Sequence, residues 1–259
     1  MFLLLSVLVS SRLPQFYSSR KANNNKKGLA WFPENPVSWK SAFANTGVSW
    51  YYNWMIWQQL DPTNMEYVVN VHDKGQVDQV SSTIKDDSIV IGFNEPDLDG
   101  NVCGSPQDCA NYYKQYLTPL RKSGKISRLS TPAISNVGLD WLQQFMNSCS
   151  DCAIDFVVVH CYTLSYDYFA SFMNDARNRF GKNVWLTEFG YTSFDPNNLP
   201  NYNDVRSFME KTLSFLDSTS WVERYAWFGA HNDLGVVGNA NRLIDDNGQL
   251  TDLGRFYVQ

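Results

Sequence analysis

Two glutamates in this chain close apolar runs with distinctive polar blocks. Glu95 stands in Gly92-Phe93-Asn94-Glu95-Pro96-Asp97, and Glu188 in Trp185-Leu186-Thr187-Glu188-Phe189-Gly190. One glutamate at a strand end reads most simply as a solvated residue. Two that converge on one rim can divide the work of cleaving a glycosidic bond. One carboxyl delivers a proton to the leaving oxygen, and the other sets negative charge opposite the oxocarbenium-like centre. With the carboxyls about 5–5.5 Å apart the second can attack the anomeric carbon and the outcome is retention; a gap of about 6.5–9.5 Å leaves room for water and gives inversion. Glu95 is the candidate acid/base and Glu188 the candidate nucleophile. Glu95 must then hold its proton near neutrality, and a negative Glu188 beside it is expected to raise its pKa.

The elements that position this pair are legible as alternation. Apolar runs bounded by turn residues predict eight strands, at residues 28–31, 48–54, 67–72, 89–94, 127–134, 154–162, 184–189 and 224–228. Several are apolar almost throughout, as strands covered on both faces are. Helical patterns lie between them, at 39–44, 76–84, 107–122, 139–146, 166–179 and 205–216. The second and third strands are joined only by Gln58-Gln59-Leu60-Asp61-Pro62, so one helix is vestigial. Such a succession predicts an α/β fold, a compact, shortened (β/α)8 TIM-like barrel. A doubly wound sheet would need a nucleotide-type glycine loop after an early strand, and the sequence has none.

In such a barrel chemistry gathers at the C-terminal strand ends. The residues delivered there include Trp31, Asn53 and Trp54, Asn94, His160 and Tyr162, and Trp227. Amides and aromatic rings beside two carboxyls make a sugar site, with rings to stack on pyranose faces. Asn94 is a candidate for a sugar hydroxyl or for orienting Glu188, against a plain turn role before Pro96. His160 and Tyr162 share one strand face; Tyr162 is the candidate hydrogen-bond partner of the nucleophile, while His160 reads equally as a satisfied core group. Each tryptophan competes with a core reading, since Trp is usually well buried.

Composition narrows the partners. A formal charge of −5 gives no electrostatic reason to hold nucleic acid or an anionic membrane. The 15% aromatic content suits both a core and a sugar-stacking surface. Residues 1–18 begin with an apolar run too short to span a bilayer and read as a signal peptide. Residues 19–27 are polar and basic and read as a linker or pro-segment, leaving 28–259 as one catalytic domain. Five cysteines suggest an oxidising compartment, with Cys103–Cys109 and Cys149–Cys152 as local pairs and Cys161 left over. A zinc set of Cys149, Cys152, Cys161 and His160 is disfavoured, because neighbours on a strand point to opposite faces. No metal or cofactor is expected, and the chain is expected to be a secreted monomer.

Taken in order, Gly28-Leu29-Ala30-Trp31, Tyr52-Asn53-Trp54, the Asn94-Glu95-Pro96-Asp97 block, Asp155-Phe156-Val157-Val158-Val159-His160 and the Thr187-Glu188-Phe189-Gly190 block resemble glycoside hydrolase family 128, endo-β-1,3-glucanase catalytic domains of clan A. The resemblance runs from about residue 28 to the C-terminus. It implies a shortened barrel, a retaining mechanism with Glu95 as acid/base and Glu188 as nucleophile, β-1,3-glucan as substrate, and no metal. One departure is Cys161, where the family pattern has a tryptophan; strand alternation turns it away from His160 and Tyr162. Alternatives are action on another β-glycan, exo action, or a non-hydrolytic glucan-binding wall protein.

Overall fold

The computed structural model describes residues 25–61 and 63–259. The expected signal peptide at 1–18, and most of the expected linker, lie outside the described residues. Nine strand segments form one parallel sheet: β1 Lys27–Trp31, β2 Trp50–Tyr52, β3 Glu66–Tyr67, β4 Val69–Asn70, β5 Ser88–Ile91, β6 Ile126–Ile134, β7 Phe156–Tyr162, β8 Val184–Gly190 and β9 Val222–Ala230. Their order is β3-β2-β1-β9-β8-β7-β6-β5-β4. β3 and β4 are halves of one strand interrupted at Val68. β3 pairs with β2 and β4 with β5, so the two ends of the sheet meet and the barrel closes. The expected strand at 67–72 is therefore real but divided, because each half serves a different neighbour. Eight strand positions remain, as the alternation predicts.

Strand alternation sorts the aromatic residues into two cores. Ala30, Trp50, Tyr52, Val68, Ile91, Ala133, Phe156, Val158, Trp185 and Ala226 fill the barrel. Trp50 of β2 lies 5.5 Å from Trp185 of β8, a contact between non-adjacent strands that only the interior permits. The intervening residues, among them Leu29, Trp31, Tyr51, Val157, Val159, Cys161 and Trp227, face the helices. Cys161 is buried there, as alternation predicts, and burial pushes its thiol up to about 12.

The helical layer is α1 Val80–Thr83, α2 Pro106–Tyr112, α3 Thr118–Ser123, α4 Leu139–Ser148, α5 Tyr166–Phe180, α6 Tyr202–Ser218 and α7 Asp252–Tyr257. Ser105 starts α2 with a reciprocal capping box. The helix expected over 107–122 is continuous but wider in the middle, a π turn at Tyr113–Leu117. Pro119 has no N–H to give to the turn before it, and the slip accommodates that loss. The helix expected at 39–44 is a 3-10 helix, Val37–Phe43, and no helix joins β2 to β3 among the described residues. α7 escapes the pattern reading because it is only two turns long.

The polar start is also better packed than its composition suggests. Lys27 opens β1, and Lys26 Nζ donates to Leu216 O (2.9 Å) and Thr219 O (2.8 Å), carbonyls at the C-terminal end of α6. Residues 25–27 thus belong to the barrel and not to a linker. Both expected disulfides, Cys103–Cys109 and Cys149–Cys152, are formed.

Candidate active site

Glu188 reaches the barrel mouth through an irregularity. In β8, Trp185 points inwards and Leu186 outwards, so strict alternation would send Glu188 out with Leu186. The ladder slips instead: Val159 pairs with Leu186, but the next residue, His160, pairs with Glu188. Thr187 is the extra residue of a bulge, which turns Thr187 and Glu188 together towards the interior. Once there, Glu188 is 6% exposed and accepts three hydrogen bonds. Trp54 Nε1 (2.9 Å) and the Tyr52 hydroxyl (3.3 Å) donate to Oε1, and the Tyr162 hydroxyl (2.8 Å) donates to Oε2. Burial and the Glu188 charge hold both tyrosine hydroxyls well above their ordinary pKa, so they stay protonated donors.

Glu95 arrives on the turn after β5. Gly92 lets the strand pass close to Tyr113, whose hydroxyl would lie 1.6 Å from a Cβ at that position. Asn94 N–H donates to His72 O and Glu95 N–H to Ala133 O, so the turn hangs from both neighbouring strands. Glu95 itself has φ +45°, an uncommon conformation for a residue with a side chain, and strictly opposed to the extended bias before proline. Asp97 then fastens the loop by accepting from the Ser135 hydroxyl (2.5 Å) and Ser135 N–H (3.1 Å).

His160 joins the two carboxyls. Its Nδ1 lies 2.9 Å from Glu95 Oε1 and 3.7 Å from Glu188 Oε2, and its Nε2 lies 2.9 Å from Thr187 Oγ1. A carboxylate oxygen of each glutamate and a ring nitrogen of His160 all fall within 4.8 Å of one another. Burial pushes the Glu95 carboxyl up, but the hydrogen bond and charge of His160 outweigh it and leave Glu95 below its ordinary value. Burial likewise works against a charged His160, and Glu188, Glu95 and Asp97 together raise it. This corrects the expectation that Glu188 keeps Glu95 protonated. The dominant neighbour is His160, and the two share one proton along the 2.9 Å contact. Two carboxylates and a histidine are also the donor types of a metal site; here His160 Nδ1 meets one of those carboxylates, Glu95, and Nε2 meets Thr187.

Beside Glu188 opens a cavity of about 470 Å³, lined by Phe32, Pro33, Glu34, Trp54, Met55, His72, Gln76, Asn94 and Phe228. Of the expected site residues, Glu95, Glu188, Trp54, Asn94, His160 and Tyr162 come together at this mouth. Three do not. Trp31 and Trp227 are fully buried on the outer face of the strands, where Trp31 meets Phe43 and Trp227 meets Phe189. Trp227 Nε1 donates to Asn241 O at 2.9 Å, so it is a core residue and not a sugar platform. Asn53 is also buried, accepting from the Tyr67 hydroxyl at 2.9 Å and serving the β2–β3 connection.

Tyr52, Phe32 and Phe228 are the site residues the sequence reading missed. The signal was available. Small Ala30 and Ala226 mark the inward faces of β1 and β9, and counting two residues onward gives Phe32 and Phe228 instead of Trp31 and Trp227. The same step on β2 gives Trp50, Tyr52 and Trp54 and skips Asn53.

Comparison with known proteins agrees with this geometry. The family model for the glycosyl hydrolase catalytic core matches residues 28–257. Alkali-sensitive linkage protein 1 of Schizosaccharomyces pombe is 44% identical over 239 residues, covering 91% of this chain. The chain spans 44% of that relative's length. A crystal structure of a subgroup V exo-β-1,3-glucanase of glycoside hydrolase family 128 from Cryptococcus neoformans is 28% identical, with a TM-score of 0.76 over 90% of this chain and 98% of that one. A subgroup II endo-β-1,3-glucanase from Sorangium cellulosum shares the fold at a TM-score of 0.78, 24% identical over 90% of this chain and 98% of that one. With the family model matched along the whole barrel, and its resemblance within that family being to glycoside hydrolase family 128, the chain belongs to the glycosyl hydrolase catalytic core family.

Proposed function

We propose that this glycoside hydrolase is a secreted, retaining endo-β-1,3-glucanase. The observation that carries the mechanism is the approach of the two carboxyls, one oxygen of each lying within 4.8 Å of the other. That supports direct attack by Glu188 and leaves too little room for the intervening water of an inverting enzyme, which needs about 6.5–9.5 Å between carboxyls. In the first step Glu188 bonds to the anomeric carbon, the bond to the leaving oxygen breaks, and Glu95 gives that oxygen the proton shared with His160. In the second, water attacks the anomeric carbon, Glu95 takes a proton from it, and Glu188 leaves. The three donors on Glu188 orient it for attack and share its charge again as it departs.

The β-1,3 linkage rests on the family, whose crystal structures include the endo- and exo-acting enzymes named above. The endo mode rests on the rings that bracket Glu188: Trp54 holds one carboxylate oxygen, Tyr162 holds the other, and Phe228 packs against both rings. Secretion is supported by the apolar N-terminal sequence and by two disulfides, which suit an oxidising compartment. Products from linear β-1,3-glucan, with wild type and Glu188→Gln side by side, test this reading. Oligosaccharides of several lengths from wild type alone are expected. One short product would replace endo with exo action. Binding without cleavage by wild type, on β-1,3-glucan and on β-1,4-glucan and mannan, would overturn the enzyme reading.

A further inference from the structure

Three residues at the mouth of the barrel hold left-handed backbone despite bulky side chains: Trp54 (φ +56°), Glu95 (φ +45°) and Phe194 (φ +59°). Such conformations are costly and persist where the surroundings impose them, often at ligand-contacting positions. Trp54 and Glu95 already have places in the site. Phe194 has none, and it is not a core residue, since its side chain is 47% exposed. The loop after β8 nevertheless fixes it. Phe194 N–H donates to Thr192 Oγ1 (3.1 Å), and that hydroxyl, in a residue only 2% exposed, donates to Val236 O (3.3 Å).

The ring is aimed at the site. It lies 5.0 Å edge-to-face from Tyr162, whose hydroxyl holds Glu188 Oε2. Trp54 holds the other carboxylate oxygen and lines the cavity, which Phe194 does not touch. Tyr162 packs between Phe194 and the cavity-lining Phe228, so Phe194 extends the aromatic rim past Tyr162 and beyond the cavity.

We propose that Phe194 is a sugar-stacking platform that determines chain-length specificity, holding a glucosyl unit of the substrate beyond the cavity. This rests on the β-1,3-glucan reading above. An exposed flat ring offers an apolar face to the C–H side of a pyranose, and its fixed backbone removes the ordering cost on binding.

The test separates strain from ligand contact. Phe194→Asn removes the ring and supplies a residue that tolerates left-handed backbone, so Tm should hold or rise. The same variant should raise KM for laminarihexaose about three- to tenfold, with kcat and the KM for laminaritriose little changed. Phe194→Trp should restore wild-type KM. Binding of laminarihexaose in a Glu188→Gln background should weaken by the same factor. Unchanged KM and binding in Phe194→Asn would overturn the proposal, as would equal losses on both substrates. If wild type neither binds nor cleaves either oligosaccharide, the glucanase reading itself fails and the platform fails with it.

Discussion

The two ends of the barrel each hold a carboxylate among aromatic rings, and they hold it differently. At the mouth, Glu188 takes its hydrogen bonds from Trp54, Tyr52 and Tyr162, all neutral donors. At the floor, Glu223 takes an indole N–H from Trp185 (2.8 Å), an amide from Asn183 (2.6 Å) and the Arg128 guanidinium (2.7 Å). The floor then stacks cations on its rings: Arg128 over Phe156 at 4.9 Å and Arg224 over Trp185 at 4.5 Å. Burial pushes the Glu223 carboxyl up, and its three hydrogen bonds with the Arg128 charge bring it below its ordinary value. Glu223 is charge-balanced by a permanent cation, so its negative charge closes the barrel and is not available for chemistry. Among the described residues Glu188 is ion-paired with no lysine or arginine and faces His160, whose proton is shared with Glu95. An indole and two further donors orient either carboxylate; what distinguishes the reactive one is that, among the described residues, no fixed cation pairs with it.

The sharpest way to break this contrast is to remove each charge in turn. Glu188→Gln should lower kcat by about a thousandfold or more with little change in Tm, because the nucleophile goes while the amide oxygen can still accept from Trp54 and Tyr52, and the Tyr162 hydroxyl can turn to accept from the amide N–H. A variant with residual activity near wild type would show that the upper carboxylate is structural, like the lower one.

How legible these ends are differs as well. The eight-strand alternation, the strand-end position of Glu95, and His160 with Tyr162 on one face follow from period-two patterning and strand-end position. Glu188 was legible only as a type in a motif: the bulge at Thr187 that turns it inwards depends on pairing with β7, a non-local fact. Trp31 and Trp227 were misplaced because their size suggested a platform, whereas the small residues beside them mark the inward face. Lys26 and Lys27 looked like a solvated pair because the carbonyls that Lys26 caps lie about 190 positions away in the chain.

His160 sharpens the comparison next. Its folded-state pKa is raised, so the proton it shares with Glu95 is held below that value and lost as pH rises through it. The alkaline limb of kcat/KM therefore belongs to the pair. In His160→Gln, Glu95 must hold the proton alone as a carboxyl, so that limb should move to lower pH and the rate at the optimum should fall about tenfold or more. A pH–rate profile with an unmoved alkaline limb would show that His160 only packs.

The smallest effect is expected at the floor. Glu223→Gln should cost about 1–2 kcal/mol of stability, a few degrees in Tm, and leave kcat unchanged. The sign with pH follows from its lowered pKa: the contribution is complete above the ordinary carboxylate range and is lost as pH falls through that range to the folded-state value. Thermal unfolding of wild type and variant should therefore converge in acid. A constant gap across that range would mean that Glu223 contributes through shape and not through charge.

The central claim, that the mouth carboxylate attacks carbon directly, is tested most directly by proton NMR of the first anomer released from a β-1,3-linked oligosaccharide. Double displacement by Glu188 predicts that the β-anomer appears first and mutarotates to α. Initial appearance of the α-anomer would contradict it, and would mean that water, not Glu188, attacks the sugar.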